Sequence, residues 1–78
     1  MSTTTYIQEE RDRYMKSLEI YRNMYGGDIH VFVATTYRNI AVLEKRIGNF
    51  QESRKLFEKS IKIFHEVRQR ENAELKKN

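Results

Sequence analysis

The chain contains an internal repeat. A shift of 43 positions lays residues 7–25 over residues 50–68 without a gap. Six of the nineteen aligned pairs are identical: Gln8/Gln51, Glu9/Glu52, Arg11/Arg54, Lys16/Lys59, Ser17/Ser60 and Ile20/Ile63. Five more keep an apolar or aromatic side chain: Ile7/Phe50, Tyr14/Phe57, Leu18/Ile61, Tyr21/Phe64 and Met24/Val67. Two amphipathic helices that are alike by chance would match less often, so the pattern predicts about one and a half copies of one stacking unit.

The composition predicts a helical unit. Proline is absent, glycine occurs only at positions 26, 27 and 48, and no segment alternates apolar and polar residues as a strand does. The chain has no cysteine, which excludes disulfides and thiolate metal sites and agrees with a reducing compartment. It also has no apolar run of about 18 residues and no signal-peptide core. We therefore expect a soluble, cytoplasmic, all-α protein that does not enter a membrane.

The first helix is predicted over residues 5–25, after a flexible N-terminus at residues 1–4. Thr5 and Gln8 have the spacing of a capping box, and the glycines at 26 and 27 suit a helix end. Its inward stripe is predicted to be Ile7, Tyr14, Ser17, Leu18, Tyr21 and Met24.

The second helix is predicted over residues 31–47, with Gly48 ending it. Cations in its last turn, at positions 45 and 46, suit the negative end of the helix dipole. Its inward residues are predicted to be Val33, Tyr37, Ile40, Ala41 and Leu43.

The third helix is predicted over residues 50–70, which completes a domain of residues 5–70. Asn49 and Glu52 form a second possible capping box, and Phe50 is expected to plug the joint between the helices. Its inward stripe is predicted to be Phe50, Ser53, Phe57, Ser60, Ile61, Phe64 and Val67. The sequence beyond Val67 is polar, and residues 71–78 are predicted to be a charged, solvated helical extension that frays.

The order of residue types around the second glycine turn resembles the tetratricopeptide repeat. Its signature positions are filled here by Tyr37, Ile40, Ala41, Gly48, Phe50, Ser53, Phe57 and Ser60. The resemblance implies antiparallel helical hairpins in which a helix A is followed by a helix B, so this chain would run B-A-B. Serine stands at two positions on helix B where the family usually has alanine. Both can still allow close helix approach, although each hydroxyl must find a partner, which is often the carbonyl one turn back.

The longer period is similar to the repeats of kinesin light chains. The matching residues are Gly27, Asp28, His30, Val33, Ala34, Asn39, Ile40, Ala41, Gly48, Phe50 and Glu52. Val31, Arg38 and Glu44 depart from that pattern, and Glu44 stands where a tyrosine normally packs between helices. A buried, unpaired carboxylate is costly. We therefore expect Glu44 to reach the edge of the interface and meet a basic residue of another helix.

The resemblance implies a non-enzymatic module that binds other proteins, with a peptide groove lined by the outward face of helix A. The candidate groove residues are Thr35, Arg38, Asn39, Val42, Lys45 and Arg46. Asn39 would hydrogen-bond a peptide backbone, since an amide both donates and accepts. Arg38 and Lys45 would favour an acidic peptide or a terminal carboxylate. The alternative is that these six side chains only solvate an exposed helix.

The residues that carry catalytic chemistry in other proteins are scattered here. His30 and His65 lie on different predicted elements and have no metal-binding spacing. His30 is expected to help start the second helix, and Asp28 to act as a cap. We expect no catalysis, no metal and no cofactor.

So short a repeat protein should leave apolar surface uncovered, because about three repeats are normally needed for stability. We therefore expect a homo-oligomer, or part of a longer array. The surplus apolar side chains are Tyr6, Tyr21, Tyr25, Phe32, Leu56 and Phe64. The alternative is weak nucleic-acid binding through a basic face made of Arg38, Lys45, Arg46, Arg54 and Lys55. Acids at positions 44, 52 and 58 interrupt that face, which argues against this alternative.

Overall fold

Three α-helices make up the structure. The computed structural model describes residues 3–76, with side chains from residue 5 onward. The helices are α1 (Thr3–Tyr25), α2 (Val31–Arg46) and α3 (Phe50–Lys76), and no strand occurs between residues 3 and 76. The middle helix, α2, packs against both others. The predicted all-α fold of three helices is confirmed.

The outer helix ends differ from the predicted ones. α1 begins at Thr3, so Thr5 lies inside the first turn instead of preceding it, and the predicted capping box is misplaced. Two residues of the predicted flexible segment 1–4, Met1 and Ser2, lie outside the described residues. α3 runs past the predicted domain end at residue 70 to Lys76, within the segment predicted as a helical extension, and every residue from 68 to 76 is exposed. Its last turns therefore form a solvated helical extension.

Gly48 ends α2 in a left-handed conformation. Its φ is 88°, and its N–H donates to the carbonyl of Lys45 over 3.1 Å. The N–H of Asn49 donates to the carbonyl of Glu44 over 2.9 Å, which completes the bond pattern of a Schellman motif. The carbonyl of Asn49 then accepts from the N–H of Ser53 as α3 begins. No hydrogen bond joins the Asn49 side chain to Glu52 in the described part of the chain, so the second capping box is also wrong.

The core lies on both sides of α2. Val33, Ala34 and Tyr37 of α2 cluster with Leu18 of α1 and Ile63 of α3. All the inward residues predicted for α2 are buried. A helix covered on two sides buries a wide arc of its surface. Most apolar positions of such a helix are therefore buried, and the apolar pattern predicts them correctly.

Two serine hydroxyls set the register of α2 against α3. Ser53 Oγ donates to the carbonyl of Ala41 over 2.7 Å, and Ser60 Oγ donates to the carbonyl of Ala34 over 2.8 Å. Seven residues separate the two partners on each helix, so the helices run antiparallel. Each hydroxyl thus has the partner it needs, and that partner is a carbonyl of the neighbouring helix and not the carbonyl one turn back along α3. Both alanines are fully buried, which allows the helix axes to approach closely.

The repeat-related helices α1 and α3 bury different faces. Ile7 and Leu18 of α1 are each only 6% exposed, whereas their equivalents Phe50 and Ile61 of α3 are each 66% exposed. The expectation that Phe50 plugs the joint is therefore wrong. α1 and α3 lie on opposite flanks of α2, so the same sequence pattern presents different sides to it.

For another equivalent pair of isoleucines the α3 residue is buried and the α1 residue is exposed. Ile63 of α3 is buried, whereas its equivalent Ile20 of α1 is exposed, and Met24, which was predicted to face inward, is exposed as well. The predicted stripes of both flanking helices thus mixed two faces, of which α2 covers one on each helix.

Candidate functional site

The six candidate groove residues lie on one side of α2, here called the outward face. They are Thr35, Arg38, Asn39, Val42, Lys45 and Arg46. Spacings of three, four and seven residues place them on the side opposite the buried residues. The three cations are exposed, and the other three side chains are partly buried. The structure thus brings together the side chains that the sequence suggested.

The only acidic residue of α2 is withdrawn from this surface. Glu44 is 1% exposed, and its Oε1 lies 3.0 Å from Nε of Arg11 on α1. Its Oε2 accepts a 2.7 Å hydrogen bond from Nδ2 of Asn49. The expected cation from another helix is confirmed, but the expected position at the edge of the interface is wrong. Among the described residues no hydrogen bond of good geometry reaches Oε1, so the charge of Arg11 is what holds this oxygen.

Because Glu44 is buried, the charged side chains that remain on the outward face of α2 are all positive. Arg38, Lys45 and Arg46 form no ion pair with any residue in the described part of the chain. Unpaired cations on a solvated helix attract anionic ligands, and arginine can hold a carboxylate through two parallel hydrogen bonds.

A shallow groove of about 160 Å³ runs between α1 and α2 beside the outward face. Its lining residues are Tyr14, Ser17, Tyr21, Phe32, Thr35, Thr36 and Asn39. Tyr14 and Tyr21 were predicted to face inward, but their place beside the candidate groove residues of α2 was not predicted. The signal was the seven-residue spacing of Tyr14 and Tyr21, which places both rings on the side of α1 that faces α2.

The groove ends at an ordered aromatic cluster. The ring of His30 stacks on the ring of Tyr25 with centroids 3.5 Å apart. The ring centroids of Phe32 and His30 are 5.0 Å apart. His30 is the N-cap of α2, where its Nδ1 accepts a 3.1 Å hydrogen bond from the N–H of Phe32. The expected role of His30 in starting this helix is confirmed. Asp28 was expected to be a cap, but its Oδ1 lies 2.7 Å from Nε of Arg22 in an ion pair.

The remaining reactive side chains stay apart. His65 is exposed on α3, far along the chain from His30 in the α1–α2 loop. Between residues 5 and 76 no three histidine, aspartate or glutamate side chains come together as metal ligands would. The arrangement can bind through charge, amide groups and aromatic surface.

None of the three helices, over the residues described, is both long enough and apolar enough to span a membrane.

Comparison with known proteins identifies the repeat. The chain matches the family described as tetratricopeptide repeat over residues 8–69, which takes in most of α1, all of α2 and most of α3. No curated protein and no solved structure matches the chain. The matched segment contains the Schellman turn at Gly48 and both serine bonds between α2 and α3. The chain therefore belongs to the tetratricopeptide repeat family.

Proposed function

We propose that this protein binds an acidic, extended peptide on the outward face of α2. Tetratricopeptide repeats generally mediate protein–protein interaction and are typically non-enzymatic. The observation that carries the proposal is the charge of the outward face. Its three cations have no ion-pair partner between residues 5 and 76, and the one acid of α2 is buried against Arg11.

The three kinds of side chain on and beside this face suit different parts of such a peptide. Arg38 and Lys45 attract carboxylates, with Arg38 able to bind one bidentately. Asn39, which lines the groove, can donate to and accept from a peptide backbone. The aromatic lining from Tyr14 and Tyr21 suits an apolar peptide side chain. A peptide with acidic residues around one leucine or isoleucine meets all three requirements.

Fluorescence anisotropy with the full chain tests the proposal. The probe is a labelled peptide with glutamates around one leucine, and the matched probe has glutamine at every glutamate. We expect the acidic probe to bind more tightly, and the double variant Arg38→Glu/Lys45→Glu to lose about tenfold or more in affinity. Lys62→Glu is the control, because Lys62 is an exposed cation on α3. Equal loss in the control, or equal binding of both probes, would refute the proposal.

An oligonucleotide probe shows whether the ligand of the basic surface is a peptide or a nucleic acid. The cations of the proposed basic face, including Arg54 and Lys55 of α3, are exposed. Glu44 is buried and therefore does not interrupt that face, whereas Glu52 and Glu58 are exposed and do. If nucleic acid is the ligand, the oligonucleotide will bind more tightly than the acidic peptide, with affinity falling steeply as salt rises.

A second candidate function is self-association through α1. Tyr6, Ile20 and Met24 lie on one side of this helix and are exposed. Of the surplus apolar residues, Tyr6, Tyr25 and Phe32 are exposed, whereas Tyr21, Leu56 and Phe64 are packed against the core. We expect sedimentation velocity at micromolar concentration to show a dimer. Ile20→Glu should dissociate it, while Met15→Glu, on the other side of α1, should not.

We also propose that the repeat is of the kinesin-light-chain type and acts in the cytoplasm. The position of His30 as the N-cap of α2 and the position of Asn39 on the outward face support the subclass. The absence of cysteine supports a reducing compartment.

A further inference from the structure

We infer that the outer face of α3, formed by Phe50, Arg54 and Ile61, docks an amphipathic helix of a partner protein that carries a carboxylate within its apolar side. This goes beyond the proposed function, because the surface lies on a different helix from the outward face of α2 and takes a helix instead of an extended peptide.

The internal repeat shows what covers such a face. A shift of 43 positions carries Ile7, Arg11 and Leu18 of α1 onto the three residues of the outer face of α3. In α1 the two apolar members of this set are buried, and α2 is the helix against which α1 packs. The packing of α2 on α1 therefore shows how a helix can cover this set of side chains.

The equivalent surface on α3 is uncovered. Phe50 and Ile61 are among the most exposed apolar residues described, and spacings of four and seven residues place Arg54 on the same side between them. Arg54 forms no ion pair with any side chain between residues 5 and 76. An unpaired arginine between two large apolar side chains is a surface that a helix can cover only if it also supplies an anion.

The contact between α1 and α2 specifies that anion. Arg11 holds the carboxylate of Glu44 within 3.0 Å, and Glu44 lies in the last turns of α2 on its buried side. Since Arg54 is the repeat equivalent of Arg11, a helix seated on α3 in the same manner places its own carboxylate beside Arg54. The charge pattern therefore specifies an amphipathic helix with a glutamate or aspartate toward its C-terminal end.

A second copy of the chain fits this surface poorly. Glu44 is the one acid on α2, and Arg11 of its own chain already holds it. If two copies of α3 paired face to face, with Phe50 of each opposite Ile61 of the other, the two Arg54 side chains would lie within about one helical turn of each other. Like charges in such a contact oppose association. We therefore assign the outer face of α3 to a partner of different sequence.

The probe is a peptide of residues 28–47, because α2 is the helix that covers the equivalent face in this structure. A lactam link between positions 38 and 42, which lie on its outward face, holds the peptide helical. Fluorescence anisotropy with the full-length chain should show binding, and Arg54→Glu should weaken it about tenfold or more. A peptide with Glu44→Lys should bind the unchanged chain poorly and should regain affinity for the Arg54→Glu variant.

Further variants show where the peptide sits. Ile61→Ser should abolish binding, whereas Met15→Ser on α1, which lies outside the surfaces proposed for binding, should leave it unchanged. Both residues are exposed, so circular dichroism should show both variants folded. The inference is overturned if Ile61→Ser leaves binding unchanged, or if the charge exchange restores nothing. It is also overturned if Arg11→Glu weakens binding and Arg54→Glu does not, since the peptide would then be displacing α2. Affinity for the acidic extended peptide is a separate readout that depends on Arg38 and Lys45.

Discussion

The carboxylate of Glu44 lies 3.0 Å from Nε of Arg11, and this contact ties the end of α2 to the start of α1. The two ends of the contact differ in solvation, since the Arg11 side chain is 40% exposed and that of Glu44 is 2% exposed. Asn49, at the start of α3, donates to the other oxygen of the same carboxylate. One buried acid thus links all three helices.

Replacement of Arg11 by alanine should destabilise the fold. Removal of one partner from a buried ion pair costs about 3–5 kcal/mol, and the partial exposure of Arg11 lets water replace part of the loss. We expect the free energy of unfolding in urea to fall by about 2 kcal/mol. The matched control is Arg54→Ala at the equivalent position of α3, where no ion pair is lost and the change should stay within about 0.5 kcal/mol. Equal effects of the two variants would show that the pair contributes nothing.

Replacement of Ser60 by alanine should remove the hydrogen bond to the carbonyl of Ala34. A buried hydrogen bond of this kind contributes about 1 kcal/mol, so thermal or urea unfolding should report a loss of that size. Ser17→Ala is the control, because Ser17 is the repeat equivalent of Ser60 on α1, is only partly buried at the groove between α1 and α2, and forms no side-chain hydrogen bond among the described residues. An unchanged stability of Ser60→Ala would contradict the assigned register bond.

Replacement of Gly48 by valine should cost more than a change on an exposed helix surface. The φ of 88° lies in the left-handed region, which a β-branched residue resists. Apart from Gly48 and its two chain neighbours, no atom of the described residues lies within 4 Å of the position that a Cβ would take, so the penalty comes from the backbone and not from a clash. We expect a loss of about 1–2 kcal/mol for Gly48→Val and a smaller loss for Gly48→Asn, measured by urea unfolding. A melting temperature near that of the unchanged chain for Gly48→Val would refute the turn assignment.

Truncation of Phe50 should change the stability little, whereas truncation of Ile63 should lower it strongly. Phe50 is exposed, so Phe50→Ala should change the free energy of unfolding by no more than about 0.5 kcal/mol. Ile63 is buried against Leu18 and Tyr37, and Ile63→Ala should cost about 3 kcal/mol. Urea unfolding of the two variants side by side distinguishes this structure from the hinge packing expected of Phe50. A large loss in Phe50→Ala would favour that packing.

The predictions made for α2 were more accurate than those for its neighbours. Each inward residue predicted for α2, such as Val33 and Ile40, is buried, because helices lie on both of its flanks. The predicted stripes of α1 and α3 each mixed a covered face with an open one. Met24 and Phe50 were expected inside and are exposed. An apolar side chain indicates that its surface can be buried. It does not indicate whether a neighbouring helix is present to cover that surface.

The candidate site was foreseen in part. The spacing of the outward-face residues follows from helix geometry alone, so the sequence could place Arg38, Asn39 and Lys45 together. It could not place Tyr14 and Phe32 beside them, because that neighbourhood depends on how α1 crosses α2. The expected cation near Glu44 could be inferred from the cost of burying a charge, whereas its identity as Arg11 required the register of two helices.

The sequence by itself determined the three helices, the glycines that end α1 and α2, the repeat and the family, because these depend on local backbone preferences and on spacing along one helix. The tertiary structure decided which side of each repeat-related helix is covered, where Glu44 finds its charge partner and which carbonyls Ser53 and Ser60 reach. Those outcomes depend on the order of the helices around α2. Two helices of related sequence, one placed before α2 and the other after it, meet that helix with different faces and leave different faces open.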